Sequence, residues 1–175
     1  AHGLVGAEQC PRLLEQVRPE MEALARETGE SVNLAVPLGR EALYLDQVEG
    51  TKLVRLFTAP GSRAPLHATG VGKVFLAYLG VPEGLSLTPY TPHTLTRLPD
   101  LLRELEAVRG RGYALDNEEK ELGVRCVAAP VFGASGGVVA ALSLSAPASR
   151  LSLEEAHRLA PRVVEAARRA SLRLG

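Results

Sequence analysis

The chain of 175 residues has no net charge, no isoleucine, no tryptophan and only two cysteines. Most of these absences exclude something. Lys and Arg number 20 and Asp and Glu number 20, so there is neither the basic surface that tracks a phosphate backbone nor an acidic tail. On this ground the chain alone is not expected to bind duplex DNA. Cys10 and Cys126 stand far apart with no Cys-x-x-Cys, which excludes a secreted disulfide framework and a zinc-motif spacing; a reducing cytoplasm fits best. No apolar run reaches the ~18 residues of a membrane-spanning helix, and the first residues carry neither the basic start nor the apolar stretch of a secretory signal. No membrane partner is expected. Repeats and low-complexity tracts are missing too. The missing isoleucine and the scarcity of Asn and Gln fit a GC-rich gene or heat adaptation and say nothing of function.

What is present suits one domain with a sizeable core. Residues 11–28 read as a helix, with Pro11 in its first turn and Leu13, Leu14, Val17, Met21, Leu24 and Ala25 at three- and four-residue spacing. Pro19 inside that pattern predicts a kink or break. Strand-like runs follow at 31–37, 41–48 and 52–58, an antiparallel meander. Helices are expected at 69–79 and 98–109, on either side of a Pro- and Thr-rich connection. The polar segment 113–125 reads largely as a loop. Then CVAAPVF and GVVAALSLSA read as buried strands joined by a hairpin at Ala134-Ser135-Gly136. A last helix starts at a Ser152/Glu155 capping box. Strands in two blocks predict an α+β fold, an antiparallel sheet with helices packed on it.

The segment LHATGVGKVFLAYL, 66–79, has the look of a phosphate loop and fails as one. A Walker loop needs Gly where His67 stands and Ser or Thr where Val74 stands; the dinucleotide fingerprint needs a glycine at Phe75. A helix start capped by Thr69 survives. Its free N–H groups near Gly70, Val71 and Gly72 can hold a carboxylate, or the glycines serve only close packing on a sheet.

Other constellations stay open. Cys126 is either a small buried residue on a strand or a nucleophile with His67 as base and Asp116 as orienting group; the same three as metal ligands lack a zinc spacing. The run DNEEKE, 116–121, reads as a solvated loop, with acid–base work as the alternative. Ser143 and Ser145 alternate with Leu142 and Leu144, so both hydroxyls share one face of a buried strand and must bond to backbone, water or a small ligand. Alanine at both positions is expected to change the ligand-free fold little.

Taken together, PLHATGVGKVFLA, RGYALDNEEKELGVRCVAAPVF and ALSLSAPASRLS, with ETGESVNLAVPLGREALYLDQVE before them, resemble the effector-binding domain of the IclR family of bacterial transcriptional regulators. The resemblance covers the chain from residue 11 onward. It implies a GAF/profilin-like fold and a small-molecule effector; no cofactor, no metal-ligand residues and no enzymatic activity are expected, and whether a metal occupies the pocket stays open. It also implies operator DNA bound only through a winged helix-turn-helix absent from this chain, with residues 1–28 as linker helix and 29–175 as effector-binding domain. Self-association to a dimer or tetramer is expected, and the leucine-rich side of the first helix gives a second reason for it. By similarity the backbone at Gly70 and Val71 and the side chains of Asp116, Cys126, Ser143 and Ser145 face the effector, with Leu53, Leu56, Ala64 and Val124 on its apolar side. One departure is the short, proline-bearing stretch Gly80–Thr91, where relatives carry a longer, often helical connection. The alternative from another class is a GAF-like thiol enzyme using Cys126.

Overall fold

The computed structural model describes residues 10–52 and 59–175. In chain order the elements are α1 (Cys10–Thr28), β1 (Ser31–Leu38), β2 (Glu41–Val48), β3 (Arg63–Pro65), α2 (Gly70–Leu79), α3 (Leu98–Arg111), β4 (Ala114–Asn117), β5 (Val124–Phe132), β6 (Val138–Pro147) and α4 (Leu153–Leu174). The strands form one antiparallel sheet of order β3-β2-β1-β6-β5-β4. The expected α+β layering is what forms.

Alternation along the central strands divides the core in two. Val32, Leu34, Val127, Ala129, Leu142 and Leu144 point to one face, where they meet Leu13, Val17, Met21 and Leu24 of α1 and the small residues Ala156, Ala160, Val163 and Ala167 of α4. The other face offers Ala35, Ala42, Ala64, Ala114, Ala128 and Ala141, and α2 and α3 cover it with Val71, Val74, Phe75, Leu101 and Leu105. Six methyl-sized side chains let a helix approach this face closely. The leucine-rich side of α1 is therefore buried within the chain and supplies no separate reason for self-association.

Several expectations need correcting. Helix α1 runs unbroken through Pro19, which lies on its exposed side, where water can hydrate the carbonyl left without a donor. Segment 113–125 is a loop over 118–123 as expected, but Ala114–Asn117 within it is a strand and β5 begins at Val124. Its polar letters misled because Asp116 is itself buried. The expected strand at 52–58 lies almost wholly outside the described residues, and β3 at Arg63–Pro65 had no strand signal beside Pro60-Gly61 and Pro65. Thr69 and the Ser152/Glu155 box cap their helices as the sequence predicts.

Packing is tight at Gly72, where a Cβ would stand 2.4 Å from the Leu66 carbonyl oxygen and 2.5 Å from Leu66 Cα. Both neighbours are backbone and cannot swing away. Gly72→Ala is expected to lower unfolding free energy by about 3 kcal/mol or more in urea denaturation. Gly110→Ala, inside α3 with nothing near its added Cβ, is expected to raise it by about 0.5–1 kcal/mol. Equal effects at the two positions contradict the packing argument.

Candidate functional site

The site begins with the cap of α2. Thr69 Oγ1 accepts from the Gly72 N–H at 3.1 Å and donates to the Pro65 carbonyl at 2.8 Å, and the first main-chain helical bond runs from Lys73 N to Thr69 O at 3.0 Å. Two donors are left over. The N–H groups of Gly70 and Val71 are buried and have no partner among the described residues. A Cβ on Gly70 would lie 3.1 Å from Ala128 Cβ and 3.8 Å from Cys126 Cβ, so the helix start presses directly on β5.

Sheet register sets what lies beneath it. One row across the strands reads Asp116, Cys126, Ser145, Ser31; the next reads Ala114, Ala128, Ser143, Asn33, Gln47. Residues paired across antiparallel strands share a face, and both rows face α2. Asn33, Asp116, Cys126, Ser143 and Ser145 are all buried. Ser145 Oγ lies 3.2 Å from Cys126 Sγ, and both serine oxygens accept from Asn33 Nδ2, at 3.2 Å for Ser145 and 3.4 Å for Ser143. The structure thus brings Gly70, Val71, Asp116, Cys126, Ser143 and Ser145 together. Ala64 and Val124 belong to the same face, and Leu53 and Leu56 lie outside the described residues.

Residues the sequence reading passed over complete the cluster. Tyr44 is buried on this face, and burial, with Cys126 and Asp116 nearby, pushes its phenol up. Asn33 carried the same signal as the serines, a polar residue at an alternate position of an apolar strand, and was readable on that rule.

The acidic run is not a solvated loop. Glu119 is buried, and its carboxylate takes the fully buried Lys73 ammonium at 3.0 and 3.1 Å and the Asn117 N–H at 3.0 Å. Lys73 also reaches Glu104 on α3 at 3.4 Å. Thr91 and Thr94 donate to the carbonyls of Glu118 and Glu119, both at 2.6 Å, so the Gly80–Thr96 connection clamps the same turn. Removing one member of such a buried pair costs about 3–5 kcal/mol, because the other charge stays buried alone. Lys73 thus ties α2 to the turn that follows Asp116 and β4.

Cys126 and His67 each have other partners. His67 Nε2 lies 2.8 Å from the Thr88 carbonyl, an acceptor, so this nitrogen carries the proton. Burial pushes the Cys126 thiol up, and Asp116 adds to it, the reverse of what activates a nucleophile. Among the described residues no group of three His, Cys, Asp or Glu side chains is placed to hold a metal.

Residues 9–172 match the family model described as the bacterial transcriptional regulator IclR C-terminal domain. The chain belongs to the IclR family. The regulator BhcR of Paracoccus denitrificans is 39% identical over 165 residues, covering 91% of this chain and 59% of that protein. The repressor AllR of Escherichia coli is 41% identical over 146 residues, covering 80% of this chain and 54% of AllR. The chain thus spans between a half and three fifths of these relatives. Thermotoga maritima IclR superposes with a TM-score of 0.87 at 34% identity, over 97% of this chain and 72% of that one. The inducer-binding domain of Acinetobacter PobR, a double mutant in complex with 3-hydroxybenzoic acid, gives a TM-score of 0.80 at 25% identity, over 90% of this chain and 96% of that one. The IclR domain has the GAF-like fold expected of it, and no helix among its described residues is long and apolar enough to cross a membrane.

Asp116 gives the site its pH dependence. Burial first, and the Glu119 charge second, raise its carboxyl to about 7, against the Glu119 N–H and Lys73, which lower it. A raised carboxyl binds its proton more tightly folded than unfolded, so its stabilising contribution is full below about pH 4 and is lost as pH rises through about 7. Asp116→Asn keeps the acceptor for the Glu119 N–H, 2.8 Å away in the wild type, and removes the titration. Its stability relative to wild type is expected to be higher at about pH 8 than at about pH 5 in urea denaturation. A difference that does not change with pH contradicts the shift.

Proposed function

We propose that this domain senses a small carboxylate and passes its binding to a DNA-binding head that precedes it in the full-length regulator. One observation carries the reading: two unpartnered N–H groups of a helix N-terminus, at Gly70 and Val71, lie on the face that carries Ser143 and Ser145. A buried anion needs several donors to offset its desolvation, and N-terminal N–H groups with hydroxyls supply them without a net positive residue. Asp116 and Cys126 border the carboxylate, and Ala64, Val124, Leu53 and Leu56 face its apolar part. The acid bound to the PobR domain agrees in chemical class.

In this reading residues 1–28 are the linker helix and 29–175 the effector-binding part. The packing of α1 against the sheet and α4 gives a mechanical path from the site toward the head. The assembly is a dimer or tetramer, operator DNA is met only through the preceding winged helix-turn-helix, and the protein works in the cytoplasm as a regulator rather than an enzyme. The raised Cys126 thiol argues against the thiol-enzyme alternative.

The test is thermal melting with a panel of small carboxylic acids that includes 3-hydroxybenzoate. A cognate acid at about a hundredfold over its dissociation constant should stabilise the fold by about 2.7 kcal/mol. The double change Ser143→Ala with Ser145→Ala should abolish most of that increment. It should also lower the ligand-free melt, correcting the sequence expectation, because the Asn33 amide then loses both acceptors at a cost of about 1–3 kcal/mol. A full ligand-induced rise in the double variant places the anion elsewhere.

A further inference from the structure

Asn33 is fully buried in β1, beside Ser143 in one register and Gln47 in the other. Its amide is spent in both directions. Nδ2 donates to Ser145 Oγ at 3.2 Å and Ser143 Oγ at 3.4 Å, while Oδ1 accepts from Gln47 Nε2 at 3.0 Å. A serine hydroxyl has one proton and two lone pairs, and an amide nitrogen only donates. Asn33 therefore occupies a lone pair on each serine and can take neither proton; Cys126 Sγ, 3.2 Å from Ser145 Oγ, either donates to that oxygen and fills its second lone pair or accepts its proton only as a weak sulfur acceptor that a carboxylate displaces. Turned end for end, the same amide would present its oxygen to the serines and consume those protons; the Gln47 N–H on Oδ1 opposes that turn. The lateral neighbours of Asn33 across the sheet are Ser143 and Gln47, so the amide answers these two polar side chains and not apolar packing, for which the next residue on this strand face is Ala35.

We infer that Asn33 is a positioning residue which, oriented by Gln47, fixes Ser143 and Ser145 as proton donors on the sheet face that α2 covers. This makes the site select an acceptor-only group, a carboxylate, over a primary amide of the same shape. The selection comes from hydroxyl direction and needs no positive charge. Donor groups that cannot reverse their role reject a ligand that brings its own N–H, because two donors then face each other without an acceptor between them. The inference rests on the carboxylate reading of the site.

Acetate and acetamide are the matched probes, titrated into the 175-residue chain while the backbone amide signals of Gly70, Val71, Ser143 and Ser145 are followed by NMR. Wild type should favour acetate by at least about tenfold. Asn33→Leu removes the donor at similar shape. Gln47→Glu, at a half-buried position, accepts but cannot donate, and so turns the amide round. Both should bring the acetate-to-acetamide ratio to within about threefold, and Gln47→Glu carries the comparison should Asn33→Leu not fold. In a background with both serines changed to alanine, Asn33→Leu should alter acetate affinity by less than about twofold, because its effect passes through the hydroxyls. A wild-type ratio in the folded variants, or an undiminished effect in the serine-free background, overturns the role of Asn33. Absence of any acetate-induced shift in wild type overturns the carboxylate reading itself, and this inference with it.

Discussion

The close seating of the first turn of α2 on β5 is the constraint on which the rest depends. Gly72 meets the Leu66 backbone at a distance that admits no side chain, and a Cβ on Gly70 would stand a tight 3.1 Å from Ala128 Cβ. That contact buries the free N–H groups of Gly70 and Val71 beside the polar rows of the sheet instead of leaving them to water. Lys73 holds the seat from the other side through Glu119 and Glu104, joining α2, α3 and the turn after β4. Loosening either contact would expose the donors and let the Asp116 carboxyl return toward its ordinary value.

The two faces of the sheet do different work. Against α1 and α4 the strands present Val and Leu in an ordinary apolar core, which supplies most of the burial and needs no polar partner. Against α2 the same strands present alanines and a polar group of Asn33, Ser143, Ser145, Cys126 and Asp116. Every fully buried side-chain nitrogen and oxygen among the described residues has a partner, so this polarity is built in rather than an accident of packing. A buried polar network costs stability relative to an apolar core of the same shape, and such groups concentrate where a protein binds something.

Much of this was legible in the sequence because periodicity reports faces. The alternation of Ser143 and Ser145 with leucines put both hydroxyls on one side before any register was known, and Thr69 before Gly70 marked the helix start. The family resemblance brought Asp116 and Cys126 to the same place, and the β4–β5 pairing puts them directly opposite each other. Less legible was anything that depends on which distant residue neutralises a charge. Lys73 and Glu119 are separated by 46 positions, and neither a lysine in an apolar helix nor a glutamate in an acidic run announces its partner. Local polarity therefore misread both the strand at Ala114–Asn117 and the turn after it. Tyr44 lay in a strand with no motif around it.

The central claim is that an acid's carboxylate sits on the α2 N-terminus between Gly70-Val71 and the serine pair. A crystal structure of the chain with the tightest-binding small acid tests it most directly. The account predicts carboxylate oxygens about 3 Å from the Gly70 or Val71 nitrogen and from a serine Oγ, with Asn33 Nδ2 still on the serines. A carboxylate found instead in the surface cleft beside His93, Arg111 and His157, with the first turn of α2 and the serine pair unchanged, would contradict it.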